Sequence, residues 1–161
     1  MKIFIFDLDN TLLYKPYKNY DDIKKDTIIY NLLSSFSYQL YIYSNATIGH
    51  VDKSLIQLGL QDLFINKFAR DTIPKMKPYI ESYKYVNTAV LFNSVNLDYN
   101  YTDDINIYFF DDLLVNLKTA KLCGWVTIWI NPSKYMKPLF VDFHFNNIID
   151  ALIFFKKLEN L

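Results

Sequence analysis

Four aspartates stand where they can act together on one substrate. Asp7 and Asp9 come directly after an apolar run near the start of the chain, and Asp111 and Asp112 directly follow a second apolar run. Both runs have the composition of buried parallel strands, and open α/β sheets bind ligands at the carboxyl ends of their strands. If the two strands are neighbours, up to four carboxylates meet in a small volume. Such a cluster repels itself unless a cation or a proton compensates it, and carboxylate oxygens suit Mg²⁺.

Two further segments supply groups that can hold an anion beside that cation. Ser44 and Asn45 follow another apolar run and precede a helical pattern. A hydroxyl and free backbone N–H groups at a helix N-terminus make an anion site. Lys77 stands just before another predicted helix start and can neutralise the same anion. A metal ion, a nucleophile, a hydroxyl and a positively charged side chain together describe a phosphoryl-transfer site.

Strand and helix patterns alternate along the chain, which predicts a Rossmann-like α/β fold. The sheet is expected to be doubly wound, mostly parallel and flanked by helices. The predicted strands are 2–6, 39–43, 64–69, 105–110, 127–130 and 142–145. The predicted helices are 21 or 22 to 36, 48–58, one with Pro78 in its first turn, 113–122 and 147–158, with Gly59 and Gly124 ending the second and fourth. Residues 14–20 and 93–104 are predicted loops, and no linker interrupts the pattern, which indicates one domain over residues 1–161.

Structural roles compete with chemical ones at several positions. Ser44 and Asp112 stand where they can simply cap the following helices. The helix after Pro78 is expected to pack one apolar face, formed by Tyr79, Tyr83, Val86 and Val90. Two lysines compete with Lys77 for the anion, namely Lys75 and Lys84. Two histidines are expected to be structural or surface residues rather than catalysts, namely His50 and His144.

Composition excludes several other classes of protein. Of the 161 residues 52% are hydrophobic, which is ample for one core and argues against disorder. The 17 basic and 17 acidic residues balance, so general nucleic-acid binding is not expected. The single cysteine, Cys123, excludes an intrachain disulfide and a thiolate metal site. The first apolar run is too short for a signal peptide, and no apolar stretch approaches the ~20 residues that span a bilayer. These features predict a cytoplasmic protein that does not bind membranes.

The order of the four chemical segments resembles the haloacid dehalogenase (HAD) superfamily of phosphohydrolases. Asp7-Leu8-Asp9-Asn10-Thr11 is similar to its first motif, in which two aspartates flank one residue and a threonine or valine follows. Ser44 matches the second-motif hydroxyl, Lys77 the third-motif lysine, and Asp111-Asp112 the acidic pair of the fourth. Asn116 and the segment 120–124 resemble the continuation of that motif, and the resemblance spans about residues 1–130.

This resemblance implies a role for each residue. Asp7 would be the nucleophile that becomes an aspartyl-phosphate, and Asp9 the acid that protonates the leaving oxygen and later activates water. Ser44, the Asn45 backbone and Lys77 would bind the phosphate. Asp7, the backbone carbonyl of Asp9 and Asp111 would bind Mg²⁺, with Asp112 acting directly or through water.

The segments between the motifs leave no room for a substantial cap domain. Between Leu13 and the second strand there is one predicted helix, and between Ser44 and Lys77 one helix and one short strand. An uncapped site is typical of enzymes that act on a macromolecular phosphorylated substrate. It is also typical of enzymes whose pocket a partner subunit completes, here a homo-oligomer.

Two subfamilies and two other classes of function stay open at the level of sequence. The length, the absent cap and Phe109-Phe110-Asp111-Asp112 are similar to the magnesium-dependent phosphatase-1 group. By contrast, Asp9-Asn10-Thr11, Ser44-Asn45 and Lys77-Pro78 resemble pyrimidine 5′-nucleotidases. The corresponding substrates are nucleoside monophosphates, sugar phosphates or phosphoproteins. The alternatives to hydrolysis are a non-hydrolytic phospho-acceptor such as a receiver domain and a catalytically silent binding module. A receiver domain has its paired acids after the first strand and its acceptor later, so the order here favours the hydrolase.

Overall fold

A parallel sheet forms the centre of the protein in the computed structural model, which describes residues 1–97 and 105–159. Within these residues the sheet has six strands: β1 Lys2–Phe6, β2 Gln39–Tyr43, β3 Asn66–Phe68, β4 Asn106–Asp111, β5 Val126–Ile130 and β6 Phe143–Phe145. Their order is β3-β2-β1-β4-β5-β6, and every neighbouring pair is parallel. The predicted α/β sheet is therefore confirmed, and it is parallel throughout.

Helices cover both faces of this sheet. They are α1 Thr27–Ser34, α2 Ile48–Leu58, α3 Ile80–Leu97, α4 Leu114–Leu122 and α5 Ile148–Glu159. Successive side chains of a strand point to opposite faces. Accordingly Phe4 and Phe6 of β1 pack in the core that includes α1, α2 and α5, whereas Ile3 and Ile5 pack in the core that includes α3 and α4. This is the predicted doubly wound arrangement. None of the helices in the described ranges is long and apolar enough to span a membrane.

Strand register brings the predicted site residues to one edge of the sheet. Phe6 lies opposite Ile42 on one side and Phe110 on the other, so the segments after these three residues leave the sheet at the same level. The Asp7 N–H donates to the Phe110 carbonyl over 2.8 Å, which extends the ladder one residue further. The strand order reverses between β1 and β4, and ligands of open α/β sheets bind at such a reversal.

No domain is inserted between these elements in residues 1–97. A short 3₁₀ turn, Tyr20–Asp22, and α1 join β1 to β2. Between β2 and Lys77 the chain forms only α2 and β3. The prediction that no substantial cap domain covers the site is therefore confirmed for this part of the chain.

The first helix is shorter than predicted, because aspartate side chains bind backbone groups around its expected first turns. The Asp22 carboxylate accepts from the N–H groups of Lys18 and Asn19, which closes a separate turn. Asp26 then caps α1 by accepting from the Ile29 N–H over 3.1 Å. Aspartate favours such local hydrogen bonds over the helix interior. The predicted helix start at residue 21 or 22 was therefore wrong.

The helix before β4 differs from the prediction at both ends. It begins at Ile80 rather than at Pro78, and Tyr79 is 58% exposed, whereas Tyr83, Val86 and Val90 are buried as predicted. It also continues to Leu97, so the loop predicted from residue 93 was wrong for 93–97, and 98–104 lie outside the described residues. The buried Ser94 is accommodated because its hydroxyl donates to the Val90 carbonyl. The remaining elements agree with the prediction to within two residues.

One glycine lies within α2 and another at its end, and their substitution by alanine should change the free energy of unfolding in opposite directions. Gly59 has φ +73°, a conformation that strains any residue with a Cβ, so Gly59→Ala should lower the free energy of unfolding by about 1 kcal/mol. Gly49 lies within the helix with no atom within 4 Å of an added Cβ, so Gly49→Ala should raise it by about 0.5–1 kcal/mol. Urea unfolding of both variants measures the difference. Equal effects of the two substitutions would contradict the assigned helix end.

Candidate active site

Three of the four aspartates lie together at the carboxyl edge of β1 and β4. Asp7, Asp111 and Asp112 each offer one oxygen, and these oxygens lie within 4.8 Å of one another. Asp7 is 7% exposed and Asp111 is fully buried, while Asp112 is half-buried. Carboxylates this close and this poorly hydrated require a positive charge or protons nearby.

Lys77 supplies that charge from the segment before α3. Its ammonium donates to Asp7 Oδ1 over 2.8 Å, to Asp111 Oδ2 over 2.7 Å and to the Tyr43 carbonyl over 2.8 Å. All three donor positions of the lysine are thereby used. Its side chain is only 1% exposed, and the ammonium also lies 5.2 Å from the centre of the Phe109 ring. Lys77 therefore joins the ends of β1, β2 and β4.

Asn45 holds the backbone of Lys77 in place. Its side-chain amide donates to the Lys77 carbonyl over 2.9 Å and accepts from the Lys77 N–H over 2.9 Å. This pair of bonds fixes a segment that belongs to neither a strand nor a helix. The competing lysines lie elsewhere: Lys75 is exposed over the Tyr79 ring, and Lys84 is exposed on α3.

Burial and mutual repulsion shift the pKa values of the carboxyl groups in this cluster. Burial, with further contributions from Asp111 and Asp112, raises the pKa of Asp7 to about 7 despite the opposing effect of Lys77. Burial and the charge of Asp111 raise the pKa of Asp112 to about 6. Burial opposes the charge of Lys77, but Asp111 and Asp7 outweigh it and hold its pKa above the ordinary value. One ammonium thus does not compensate three carboxylates.

The donor set around this excess charge fits a divalent cation. Mg²⁺ binds through one or two carboxylates together with substrate phosphate and water. Asp111 is already oriented, because Asn116 donates to both of its oxygens over 3.1 and 3.0 Å and the Leu113 N–H donates to Oδ1 over 2.8 Å. The Asp112 side chain does not cap α4, whose N-cap residue is Leu113, so it is available to the site.

Ser44 and Asn45 border the same space as the acidic cluster. A cavity of about 330 Å³ is lined by Asp7, Ser44, Asn45, Lys77 and Asp112, among others. Ser44 is 2% exposed, and its hydroxyl accepts from the Ala46 N–H over 3.1 Å. The capping role at α2 belongs to Thr47, whose hydroxyl accepts from the His50 N–H. The structure thus brings the predicted phosphate-binding residues to the predicted metal-binding residues.

Asp9 is not one of the three clustered aspartates, although it lines the same cavity. Its side chain is 41% exposed, and Oδ1 lies 2.9 Å from Nε2 of His50. Tyr17 lies next to the same carboxylate. Burial of the Tyr17 hydroxyl and the negative charge of Asp9 together raise the pKa of that hydroxyl. The Asp9 carboxylate is not part of the acidic cluster, which leaves its backbone carbonyl as the atom that the resemblance assigns to a metal.

The two histidines have different environments. His144 stacks on Trp129 with ring centres 4.3 Å apart, and its Nε2 contacts the Asn131 carbonyl, as expected of a structural residue. His50 instead contacts Asp9, a residue of the predicted site. The predicted structural or surface role of His50 therefore missed this contact. One feature of the sequence could have indicated this contact. His50 stands in the first turn of the helix that follows Ser44-Asn45, and that helix starts at the site.

Solved structures share this fold. The HAD hydrolase YfnB from Bacillus subtilis, bound to magnesium, aligns with a TM-score of 0.59 and 22% identity, over 84% of this chain and 54% of that one. A HAD-superfamily hydrolase from Ehrlichia chaffeensis aligns with a TM-score of 0.66 and 14% identity, over 98% and 97% of the two chains. A predicted phosphoglycolate phosphatase from Haemophilus somnus 129PT aligns with a TM-score of 0.59 and 19% identity, over 79% and 55%.

Dehalogenases are also among the similar structures, including an L-2-haloacid dehalogenase from Xanthobacter autotrophicus. No family model and no curated protein matches the sequence. The chain spans about half the length of YfnB and of the Haemophilus protein, but nearly the whole of the Ehrlichia protein. The chain therefore has the fold of the HAD-superfamily hydrolases, which the four motifs led us to expect.

Proposed function

We propose that this protein is a Mg²⁺-dependent phosphomonoester hydrolase that forms an aspartyl-phosphate on Asp7. The observation that carries the proposal is the contact of Lys77 with both Asp7 and Asp111, with Asp112 beside them. A buried nucleophile, a fixed ammonium and two further carboxylates are the groups that phosphoryl transfer requires. The HAD fold of the chain supports the same reaction class.

The first half of the reaction transfers the phosphoryl group to the protein. A carboxylate oxygen of Asp7 attacks phosphorus, and the bond from phosphorus to the leaving oxygen breaks. Asp9 gives its proton to that oxygen, so the product leaves as an alcohol. Ser44 and the backbone at Asn45 hold the phosphoryl oxygens, and Lys77 offsets their negative charge.

The second half returns the protein to its starting state. Asp9, now ionised, takes a proton from a water molecule as that water attacks phosphorus. The bond from phosphorus to Asp7 breaks, and inorganic phosphate leaves. Asp9 then holds the proton required for the next cycle, and the net reaction is hydrolysis of one phosphate ester.

The metal site would use Asp7, Asp111 and the Asp9 carbonyl, with Asp112 close by. When bound, Mg²⁺ supplies Lewis-acid stabilisation of the transferring phosphoryl group. Asp111 contributes by orientation, because Asn116 and the Leu113 N–H hold its oxygens before any cation enters.

Carbon–halogen cleavage, the reaction named for some structural neighbours, fits the site less well. A halide leaves without a proton, so Asp9 would have no task in that step. Three clustered carboxylates also favour a cation and a phosphate over an uncharged carbon–halogen bond.

The surroundings of the site favour a leaving group rich in hydroxyls. A second cavity of about 430 Å³ shares Asn10 and Asp112 with the first. Its lining is rich in neutral hydrogen-bonding side chains, namely Asn10, Tyr14, Asn131, Asn146 and Asn147. Such groups suit a sugar phosphate or a nucleoside monophosphate. A phosphoprotein substrate is a further proposal, and so is a site completed by a second copy of the chain. The cytoplasmic location is also a proposal.

Hydrolysis of p-nitrophenyl phosphate tests the proposed function. We expect activity with Mg²⁺ and a loss of at least about a hundredfold when EDTA removes the metal, because the uncompensated carboxylates then repel the phosphate. Adding Mg²⁺ back should restore the rate. Equal rates with Mg²⁺ and with EDTA would contradict the metal requirement. No hydrolysis of this ester or of a panel of nucleotides and sugar phosphates would favour the phospho-acceptor or the silent binding module.

Magnesium should stabilise the protein more as the pH rises. The folded pKa values of Asp7 and Asp112, about 7 and about 6, lie above the ordinary 3.8, so the metal-free folded protein holds more protons than the unfolded chain in this range. Its stability therefore falls as the pH rises from about 5 to about 8. Asp7 and Asp112 would have to be ionised to hold Mg²⁺, so the effect of Mg²⁺ on the melting temperature should grow over the same interval.

Thermal unfolding across this pH range, with Mg²⁺ and with Na⁺ at matched ionic strength, measures the effect. Asp26 and Asp142, whose pKa values are lowered, complete their ionisation below this window and do not reverse the trend. A Mg²⁺ effect that is constant or declines with pH would contradict the assigned acidic cluster.

A further inference from the structure

Asp9 is held by a hydrogen-bonded chain that the four motifs do not contain. His50 Nε2 lies 2.9 Å from Asp9 Oδ1, and His50 Nδ1 lies 2.8 Å from the Tyr20 hydroxyl. The three residues come from the loop after β1, the 3₁₀ turn and the first turn of α2. A contact between segments that are 41 residues apart depends on the fold and not on local sequence.

When the His50 ring is neutral, the hydrogen bonds of this chain have one consistent direction. An ionised carboxylate only accepts, so Nε2 carries the hydrogen that Asp9 receives. The neutral ring then accepts at Nδ1, and the Tyr20 hydroxyl donates to it. Tyr20 thereby selects the tautomer and the orientation in which the ring meets Asp9.

The backbone around Asp9 is already fixed, so the side chain is what remains to be oriented. The Thr11 and Leu13 N–H groups both donate to the Leu8 carbonyl, and the Asn10 N–H donates to the Leu13 carbonyl. The Asp9 side chain is nevertheless 41% exposed and lies two residues from Asp7. Tyr17 lies beside the same carboxylate, and the His50 ring contacts Oδ1 directly, so His50 fixes the position of that one oxygen.

We infer that His50 is the positioning residue that holds Asp9 Oδ1 and thereby assigns proton transfer to Oδ2. The inference rests on the proposed function. Oδ1 accepts from Nε2–H whether or not Oδ2 carries a proton, so the contact persists through the cycle. The proton leaves Oδ2 for the departing oxygen in the first half-reaction and returns to Oδ2 from water in the second. His50 itself exchanges no proton.

Two esters that differ in their need for a proton test this role. The nitrophenolate of p-nitrophenyl phosphate leaves without protonation, whereas the phenolate of phenyl phosphate is more basic and benefits from an acid. Because kcat/KM reports the steps up to phosphoryl transfer to Asp7, it isolates the step in which Asp9 acts as an acid. The two esters have nearly the same shape, so a general loss of binding affects both equally.

His50→Ala should lower kcat/KM for phenyl phosphate by about 10- to 100-fold, part of the 10²–10⁴ that an oriented acid supplies, and for p-nitrophenyl phosphate by less than about threefold. His50→Gln places an amide N–H near the position of Nε2 and should recover most of the loss. Tyr20→Phe should give a smaller loss with the same dependence on the ester. The matched control Ile56→Ala, on the exposed face of the same helix, should leave both values unchanged.

Each outcome decides between the alternatives. Equal losses on both esters, no loss, or a His50→Gln variant as slow as His50→Ala would overturn the inference while leaving the phosphatase intact. Wild-type protein that releases phosphate from neither ester would overturn the proposed function and this role with it. If His50→Ala does not fold, Tyr20→Phe still separates the two esters. In an Asp9→Asn background, His50→Ala should have no further effect, since its target is already removed.

Discussion

Asp7→Asn should abolish turnover and leave the fold intact. The amide cannot form the aspartyl-phosphate, so we expect kcat for p-nitrophenyl phosphate to fall by about 10⁴-fold or more. The fold should tolerate the change because the amide oxygen still accepts from Lys77, which also keeps its bonds to Asp111 and the Tyr43 carbonyl. Since burial already raises the pKa of Asp7 to about 7, a neutral side chain is well suited to this position.

The measurement compares initial rates with Mg²⁺ and circular dichroism spectra of the two proteins. Asp62→Asn is the matched control, because it makes the same chemical change at an exposed position outside the cavity. Its rate should equal that of the wild type. A folded Asp7→Asn protein that turns over within about tenfold of the wild type would exclude Asp7 as the nucleophile.

Lys77→Met should cause the largest loss of stability of any single substitution at the site. Methionine fills a similar volume but leaves Asp7 and Asp111 buried without a cation. Removing one partner of a buried ion pair lowers the free energy of unfolding by about 3–5 kcal/mol, which is a large part of the total stability of a domain. The loss should shrink toward about pH 5, because protonation relieves the unpaired Asp7 carboxylate.

Urea unfolding at neutral and at acidic pH measures this loss. Lys75→Met, two residues away and exposed, should change the free energy of unfolding by no more than about 0.5 kcal/mol. Activity should also fall in Lys77→Met, since the phosphate loses the ammonium that offsets its charge. A variant as stable as the wild type at neutral pH would show that Lys77 does not balance the two carboxylates.

The fold could be predicted from sequence because hydrophobic periodicity records which elements are buried. The runs at β1 and β4 are apolar on both faces, which only a sheet covered on both sides requires. Local competition was harder to foresee. Asp22 could have served as an early helix residue, but its carboxylate binds the N–H groups of Lys18 and Asn19 instead. That choice depends on the path of the preceding loop, which periodicity does not report.

The candidate site could be predicted in its residue types but not in its contacts. Periodicity places Asp7 and Asp111 at strand ends, and only the strand order makes β1 and β4 neighbours. The contact of Lys77 with both aspartates spans 70 and 34 residues of sequence. The contact of His50 with Asp9 is equally long-range, and no motif spacing marks it. Such contacts follow from how α2 and the segment before α3 dock on the sheet edge.

The enclosure of Lys77 also makes its amine a reporter of how often the site opens. An acylating reagent needs the free amine, and this one donates three hydrogen bonds and is 1% exposed. Its modification therefore has to wait for the ends of β1, β2 and β4 to separate from the segment that carries it. Exposed Lys75 reacts without that delay, so the ratio of the two labelling rates gives the free energy of this local opening.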